Sequence, residues 1–403
     1  MNDPTTRKSN DGPAKAGEGR PRPRTAWELS GLIKPLAGPK QRTTPRKRHR
    51  PLPYYSRIVL YVFRSRFATG FQIARRFPEH LPSGRTAHRR LAHMVELGLL
   101  GTASVRSTAP HFPNVYLATA KGVRWVQRLA EERGLVLGVS PAEERKERGR
   151  ALDSVLHELL LTELELSLHL SVQGREDLGL PLTERRYYRR DRRLSFPHAG
   201  TRRHLMPDAG FLLSVREGSE RTSQNVAPAL LWHAVEMDNA TMSLPRFASK
   251  LEDYDLWSRT DDGREYLANL YRRYGAAKPR PNFRLLIVCH DKSGVHKGGD
   301  ERRLLDLFAL ALELPAAMRD RIWLTTVERL KARQTDDPPL SAALWFRARD
   351  AREWLSEYRG HVATVPRGRG RKRYHNQRAF VAERLDSLPL HALFLKPSPT
   401  PRG

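Results

Sequence analysis

The chain has 403 residues, room for two ordinary domains with tails, and its 72 Lys+Arg against 44 Asp+Glu leave a formal charge of +28. A single cysteine, Cys289, excludes a disulfide framework and a cysteine-based zinc site. No apolar run approaches the roughly 20 residues that cross a bilayer, and the first residues lack the apolar core of a signal peptide, so no membrane partner and a cytoplasmic location are expected. The surplus of positive charge comes in discrete runs and points to a polyanion, since clustered basic side chains release counterions from phosphate. The alternative is frequent arginine usage without a partner.

Residues 1–50 are rich in Lys, Arg, Pro, Gly and Thr, lack apolar periodicity, and are expected to form a disordered basic arm ending in Thr44–Arg50. Such an arm can track phosphates or serve only as a solvated tail. From Tyr54 to about Arg133 the pattern is a small helical domain with one hairpin. Ile58, Val59, Val62 and Phe63 form an amphipathic stripe, Gly70 breaks it, and Phe71–Phe77 makes a second short helix. Ser83 is a plausible N-cap for a third helix over Gly84–Leu97. That helix is expected to bury Leu91, Met94 and Val95 and to turn Arg85, His88, Arg89 and His93 outward. Leu99–Gly101 and Val115–Leu117 read as two strands around a wing carrying Arg106 and His111. Thr119-Ala120-Lys121-Gly122 opens a closing helix.

Three helices, a two-stranded wing and a further helix make up a winged helix-turn-helix pattern, in which the third helix lies in the major groove. Arg85 and Arg89, with His88 and Arg106, are therefore the candidate contacts to double-stranded DNA. Each basic residue taken alone is more often a solvated surface group, and winged helices also dock proteins.

Residues 134–150 read as a polar linker, and a second domain is expected over 151–358, followed by a basic, disordered C-terminal tail over 359–403. The second domain opens with a long apolar helix, Leu152–Val172, on which Glu158 is an optional further metal ligand. Arg185–Arg193 is a basic run around Tyr187 and Tyr188, either a phosphate-facing strand or a solvated edge. A strand starts near Pro207 with Asp208 at its mouth. A second apolar strand, Leu230–Asp238, ends in acids, and strand alternation puts Glu236 and Asp238 on one face. If the two strands pair, Asp208, Glu236 and Asp238 converge as oxygen ligands for Mg²⁺ or Mn²⁺, an ion able to assist phosphodiester hydrolysis. The alternative leaves Asp208 capping a turn and the other two acids paired with arginines. Leu244–Trp257 follows as a helix whose stripe is flanked by Lys250. Phe283–Cys289, a helix near Leu304–Leu314 and Ile322–Val327 complete an α/β order. No Gly-rich phosphate loop, histidine triad or Ser/Cys triad is evident.

Asp208 followed by Glu236-x-acid one hairpin later resembles the PD-(D/E)xK nuclease fold, a restriction-endonuclease-like α/β core. Asp238 stands where that fold places a catalytic lysine, and Lys250 on the next helix is the candidate substitute. With the winged helix ahead of them, "PDAGFLL", "HAVEMDNAT" and "FASKLEDYDLW", the last holding Lys250 and Tyr254, resemble the replication-relaxation family of plasmids and integrative elements. The resemblance covers roughly residues 54–330. It implies a mixed α/β protein acting in plasmid replication, DNA relaxation or mobilisation. Double-stranded DNA is the expected partner, with a second copy of the chain and replication or mobilisation proteins as optional further ones, at a nucleoid- or plasmid-associated location. Two readings stay open: a Mg²⁺-dependent endonuclease, with Asp208, Glu236, Asp238 and Lys250 as its centre, and a non-enzymatic replication or transcription regulator with an inactive nuclease-like domain.

Overall fold

The apolar stripe of the first helix, α1 (Tyr55–Ser65), is what nucleates the N-terminal core: Tyr55, Ile58, Val59 and Val62 are buried with Ile73, Leu91, Met94 and Val123. The computed structural model describes residues 33–40, 51–107, 114–134, 155–185, 194–216, 229–276, 279, 281–291, 299–332, 344–363 and 370–393. After a two-residue strand, β2 (Ala68–Thr69), comes α2 (Gly70–Arg76), closed by a reciprocal cap. The Thr69 hydroxyl accepts from Gln72 N at 3.1 Å and the Gln72 side chain accepts from Thr69 N at 2.9 Å. The next helix, α3 (Gly84–Glu96), starts at Ser83, whose hydroxyl accepts from Thr86 N at 3.2 Å. It buries Ala87, Leu91 and Met94 and exposes Arg85, His88 and Arg89. His93 turns inward instead of outward, hydrogen-bonded through Nδ1 to the Tyr55 hydroxyl at 2.9 Å.

A hairpin of β3 (Leu100–Ser107) and β4 (Val115–Ala118) follows, and Thr119 caps the closing helix α4 (Ala120–Glu131) through Gly122 N. Gly122 is required there, because a Cβ would run into the Leu99 carbonyl. The expected arm over 1–50 is corrected in one segment: β1 (Ile33–Lys40) pairs antiparallel with β3, giving the strand order β1-β3-β4-β2. An unpaired hairpin edge offers a row of backbone donors and acceptors, and a strand holding Pro35 and Pro39 is acceptable only at an edge, with broken register.

The second half is organised around a six-stranded sheet in the order β12-β11-β10-β9-β8-β5. Helix α5 (Val155–Val172) precedes β5 (Leu178–Glu184), a side hairpin of β6 (Leu194–His198) and β7 (Thr201–Leu205), then β8 (Ala209–Val215) and β9 (Ala229–Asp238). β5, β8 and β9 form an antiparallel meander. Two helices, α6 (Leu244–Arg259) and α7 (Asp261–Arg273), cross over to β10 (Phe283–Cys289), which lies parallel to β9. Helix α8 (Gly299–Leu312) and the short α9 (Ala316–Arg319) lead to β11 (Ile322–Thr326), parallel to β10, then α10 (Val327–Ala332) and β12 (Phe346–Arg347). The molecule is thus of the mixed α/β class.

Strand alternation splits the sheet's side chains between two cores. Trp232, Ala234, Leu285 and Ile287 face the helices α6, α7 and α8 with Leu251, Tyr254, Trp257 and Leu307. Val235, Met237, Leu286 and Val288 face the other way, onto Leu156, Leu160 and Leu164 of α5. The chain does not end its core at residue 358. Helices α11 (Leu355–Ala363) and α12 (Gly370–Ala382) follow, with Phe380 and Val381 buried against α8, and Leu393 is buried in the α5 core. The expected disordered tail over 359–403 is corrected for 359–363 and 370–393. Its arginines hide an apolar set at Tyr374, Phe380, Val381 and Leu385. Among the described residues, no helix is long and apolar enough to cross a membrane.

Helix α5 is buried nearly all round because it has two neighbours. Its leucines meet the sheet, while Glu158 and Glu163, 1% and 0% exposed, meet the N-terminal module. Arg66 Nη1 lies 3.2 Å from Glu158, and Arg185 Nη1 is 3.5 Å from its other oxygen. Gln72 Nε2 donates to Leu159 O at 3.1 Å and to Glu163 at 3.0 Å, and Arg75 pairs with Glu163 at 2.5 Å. Glu158 is therefore a buried interface acid and does not join a metal centre. Buried carboxylates are tolerated only when paired this way. The 134–150 linker lies outside the described residues beyond position 134.

Candidate functional site

Pro207 ends the preceding turn and β8 begins one residue after Asp208, while β9 runs the other way and ends in acids. The register pairs Ala209 with Val235 and Gly210 with Ala234, so the next pair outward is Asp208 with Glu236. Asp208 N donates to Val235 O at 3.0 Å, and Asp208 Oδ2 accepts from Met237 N at 2.9 Å. The sequence-level condition for convergence, that these strands pair, is met.

The lysine comes from α6. Leu251 and Tyr254 hold that helix on the sheet. The same packing brings Lys250 Nζ within 2.5 Å of Glu236 Oε2 and the Tyr254 hydroxyl within 2.6 Å of Glu236 Oε1. From the other side of the sheet, His157 on α5 places Nε2 3.6 Å from Asp208 Oδ1. Asp208 keeps 21% of its side-chain surface exposed and Lys250 19%, whereas Glu236 keeps 3%. The carboxylate pair is open at Asp208 and closed at Glu236.

Charge follows this geometry. Burial pushes the Glu236 carboxyl up to about 8, against the pull of Lys250 and with the Asp208 charge adding to the rise. Asp208 moves the opposite way: burial would raise it, but His157 and Lys250 outweigh that and hold it well below the usual carboxylate range. Burial alone would lower Lys250, but Glu236 and Asp208 hold it above its ordinary value, and Asp208 does the same for His157. Two carboxylates whose values are driven apart are the arrangement that assigns different protonation states to neighbouring groups at one pH.

Asp238 does not belong to this group. It shares a face of β9 with Glu236, as expected, but Arg303 of α8 grips it with Nε at 2.5 Å and Nη2 at 3.1 Å. Arg303 Nη2 also donates to Met242 O at 2.8 Å, fixing the turn after β9. The expectation of three acids converging on one ion is corrected here, since a bidentate guanidinium occupies both oxygens of the third. Among the described residues no group of three or more His, Cys, Asp or Glu is arranged around a metal position. Asp208 and Glu236 remain a donor set suited to a hard cation that keeps most of its shell for water and phosphate, as Mg²⁺ does with one or two carboxylates.

The sequence pattern picked out Asp208, Glu236 and Lys250, with Asp238 counted among them, and Tyr254 entered only through the family resemblance. It missed Arg303, 65 residues from its partner, and it selected Glu158 where the adjacent His157 reaches the site. The available signal was helical phase: Leu156, Leu160 and Leu164 face the sheet, while Glu158 and Glu163 fall on the module side.

The second set of residues singled out in the sequence lies on α3. Arg85, His88 and Arg89 occupy positions i, i+3 and i+4 and are all exposed on one face. Arg90 turns away, bonding His80 O and lying over the Tyr54 ring at 5.3 Å. Arg106 sits in β3, and its side chain lies outside the described residues, as do His111, Tyr187 and Tyr188.

No curated protein and no solved structure matches the chain. A family model described as replication-relaxation matches residues 61–266, just over half of the chain, from α1 through the Asp208–Glu236–Lys250 cluster to α7. The chain belongs to the replication-relaxation family.

Proposed function

We propose that this protein binds double-stranded DNA through its N-terminal module and acts on it at the Asp208–Glu236–Lys250 site, in the replication or relaxation of a plasmid or other mobile element. The observation that carries the reading is the convergence of two carboxylates and a lysine, from the residue ahead of β8, from β9 and from α6, at one strand mouth. The helix-helix-helix-hairpin-helix order of 55–131 supports a winged helix-turn-helix, with α3 as the groove-reading helix and Arg85, His88 and Arg89 as its contacts. The order α5-β5-β8-β9-α6-β10, with three antiparallel strands and a fourth parallel to the third, supports a PD-(D/E)xK-like core. In that core Lys250 takes over from the strand position that Asp238 occupies.

Asp208 and Glu236 would hold a Mg²⁺ or Mn²⁺ ion, which when bound supplies Lewis-acid stabilisation of charge developing on a phosphodiester. Lys250 places a positive charge where a phosphate oxygen approaches Glu236. Tyr254 fixes the second Glu236 oxygen, and His157 keeps Asp208 ionised and oriented. A second reading, a DNA-binding regulator without turnover, is favoured by one observation: Glu236 is already saturated by Lys250 and Tyr254.

Conversion of supercoiled plasmid in Mg²⁺ or Mn²⁺, beside duplex binding measured across salt, separates the two. The first reading expects nicked, relaxed or linear product that Glu236→Ala abolishes, and duplex affinity that drops about tenfold or more in Arg85→Ala/Arg89→Ala. Duplex binding without conversion in either metal sinks the enzymatic part and leaves the regulator.

A further inference from the structure

Away from the acid pair, a groove of about 220 Å³ opens where the N-terminal module meets α5 and β5. Its polar walls include Arg57, Tyr61 and Arg64 of α1, Arg76 of α2, Glu165 and His169 of α5, and Thr183 of β5. The charges do not cancel. Arg57 leans on Glu79 at 3.5 Å, and Glu165 is held by Thr183 at 3.0 Å and Arg185 at 3.3 Å. Among the described residues Arg64 and Arg76 have no carboxylate within ion-pair distance, and Arg76 lies over the Phe77 ring at 5.3 Å. Tyr61 lines the groove, and its hydroxyl oxygen is buried with no hydrogen-bond partner among the described residues. Its ring is fixed edge-on against Phe77 at 5.7 Å. Burial, and after it Arg76, hold His169 below its ordinary value, against Glu165.

Unneutralised guanidiniums beside a buried donor that lacks an acceptor describe a site for an oxyanion. Two guanidinium forks and a hydroxyl offer more donors than a carboxylate can accept and match the oxygens of a phosphate. The volume is below the roughly 300–1,000 Å³ of drug-sized pockets, which suits one phosphate or a short run of them. We propose that this groove binds a phosphate group, clamped by Arg64 and Arg76 and met by the Tyr61 hydroxyl. The phosphate is that of a free polyphosphate ligand or of a DNA backbone passing between module and core. Only the second source rests on the DNA-binding reading above, and neither depends on chemistry at Asp208.

The test titrates the full chain with pyrophosphate by calorimetry, and with duplex DNA by anisotropy across salt. Wild type is compared with Arg64→Gln/Arg76→Gln, with Tyr61→Phe and with Arg85→Ala/Arg89→Ala, each checked for an unchanged melt. A free ligand predicts pyrophosphate binding that weakens at least tenfold in Arg64→Gln/Arg76→Gln, several-fold in Tyr61→Phe, and not at all in Arg85→Ala/Arg89→Ala. A backbone phosphate predicts instead a duplex affinity about tenfold lower in Arg64→Gln/Arg76→Gln, with a log–log salt slope shallower by about two. If the duplex does not bind, the DNA reading fails while the pyrophosphate arm still decides the groove. Wild type and Arg64→Gln/Arg76→Gln binding both probes alike, or wild type binding neither, would overturn the proposal.

Discussion

Glu236 and Asp238 stand two residues apart on one face of β9, and their surroundings give them opposite work. Asp238 faces α8 and receives a planar, bidentate guanidinium that also ties down Met242 O. Glu236 faces α6 and receives a single-point ammonium and a phenol, next to a second carboxylate that still reaches solvent. A carboxylate locked by a rigid fork is a strut. One held by an exchangeable lysine beside an open neighbour can change partners. The identity of the acid decides little, and what the neighbouring helix presents decides most.

The Asp238 strut should carry the largest effect. Arg303→Ala leaves Asp238 buried and unpaired, and a loss of about 3–5 kcal/mol in urea-unfolding stability is expected. A loss under about 1 kcal/mol would mean that the pair is not structural. Glu163→Ala should come next. It strips Gln72 and Arg75 of their shared acceptor across the module–α5 contact, and about 2–3 kcal/mol is expected because Arg75 remains partly solvated. Limited proteolysis between module and core should accelerate with it; an unchanged digest would separate the two effects.

Glu236 is raised to about 8 chiefly by burial, so its proton leaves as pH rises through that value. A raised folded value means a stability contribution fully present below the ordinary value of 4.5 and lost as pH climbs through about 8. Under the proposed metal-dependent cleavage, which uses an ionised Glu236 beside Asp208, the rate should move the opposite way and climb toward about pH 8. Lys250→Met removes the charge that opposes the rise and should move that limb to higher pH. A limb that stays in place in Lys250→Met would mean that another group sets it. The smallest stability effect belongs to Arg85→Ala/Arg89→Ala, expected within about 0.5 kcal/mol of wild type, because both side chains are exposed. A large change in its melt would make α3 a packing helix and not a reading surface.

Local signals carried far in this chain. The cap at Ser83, the stripes of α1 and α6 and the strand Phe283–Cys289 are legible from period and turn chemistry, while the pairing of β8 with β9 stands in the sequence only as a condition. Asp208, Glu236 and Lys250 are legible too, but only with Asp238 counted among them. What was not legible depends on contacts distant in sequence. Helix α7 was missed because its stripe is thin, with only Leu267 and Tyr271 as its large buried side chains. Arg303 is one of many arginines until the fold sets it against Asp238. Glu158 reads as a ligand on an apolar helix until Arg66, 92 residues earlier, covers it. The tail reads as a basic run, yet Phe380 and Val381 are core.

Under the proposed function Asp208 and Glu236, and not Asp238, form the working pair. Single-turnover conversion of supercoiled plasmid in Mn²⁺ by wild type and by Asp208→Asn, at matched concentrations of folded protein, tests that assignment. Product is expected from wild type, with a loss of at least 10²-fold in Asp208→Asn and duplex binding retained. Conversion by Asp208→Asn at the wild-type rate would contradict it.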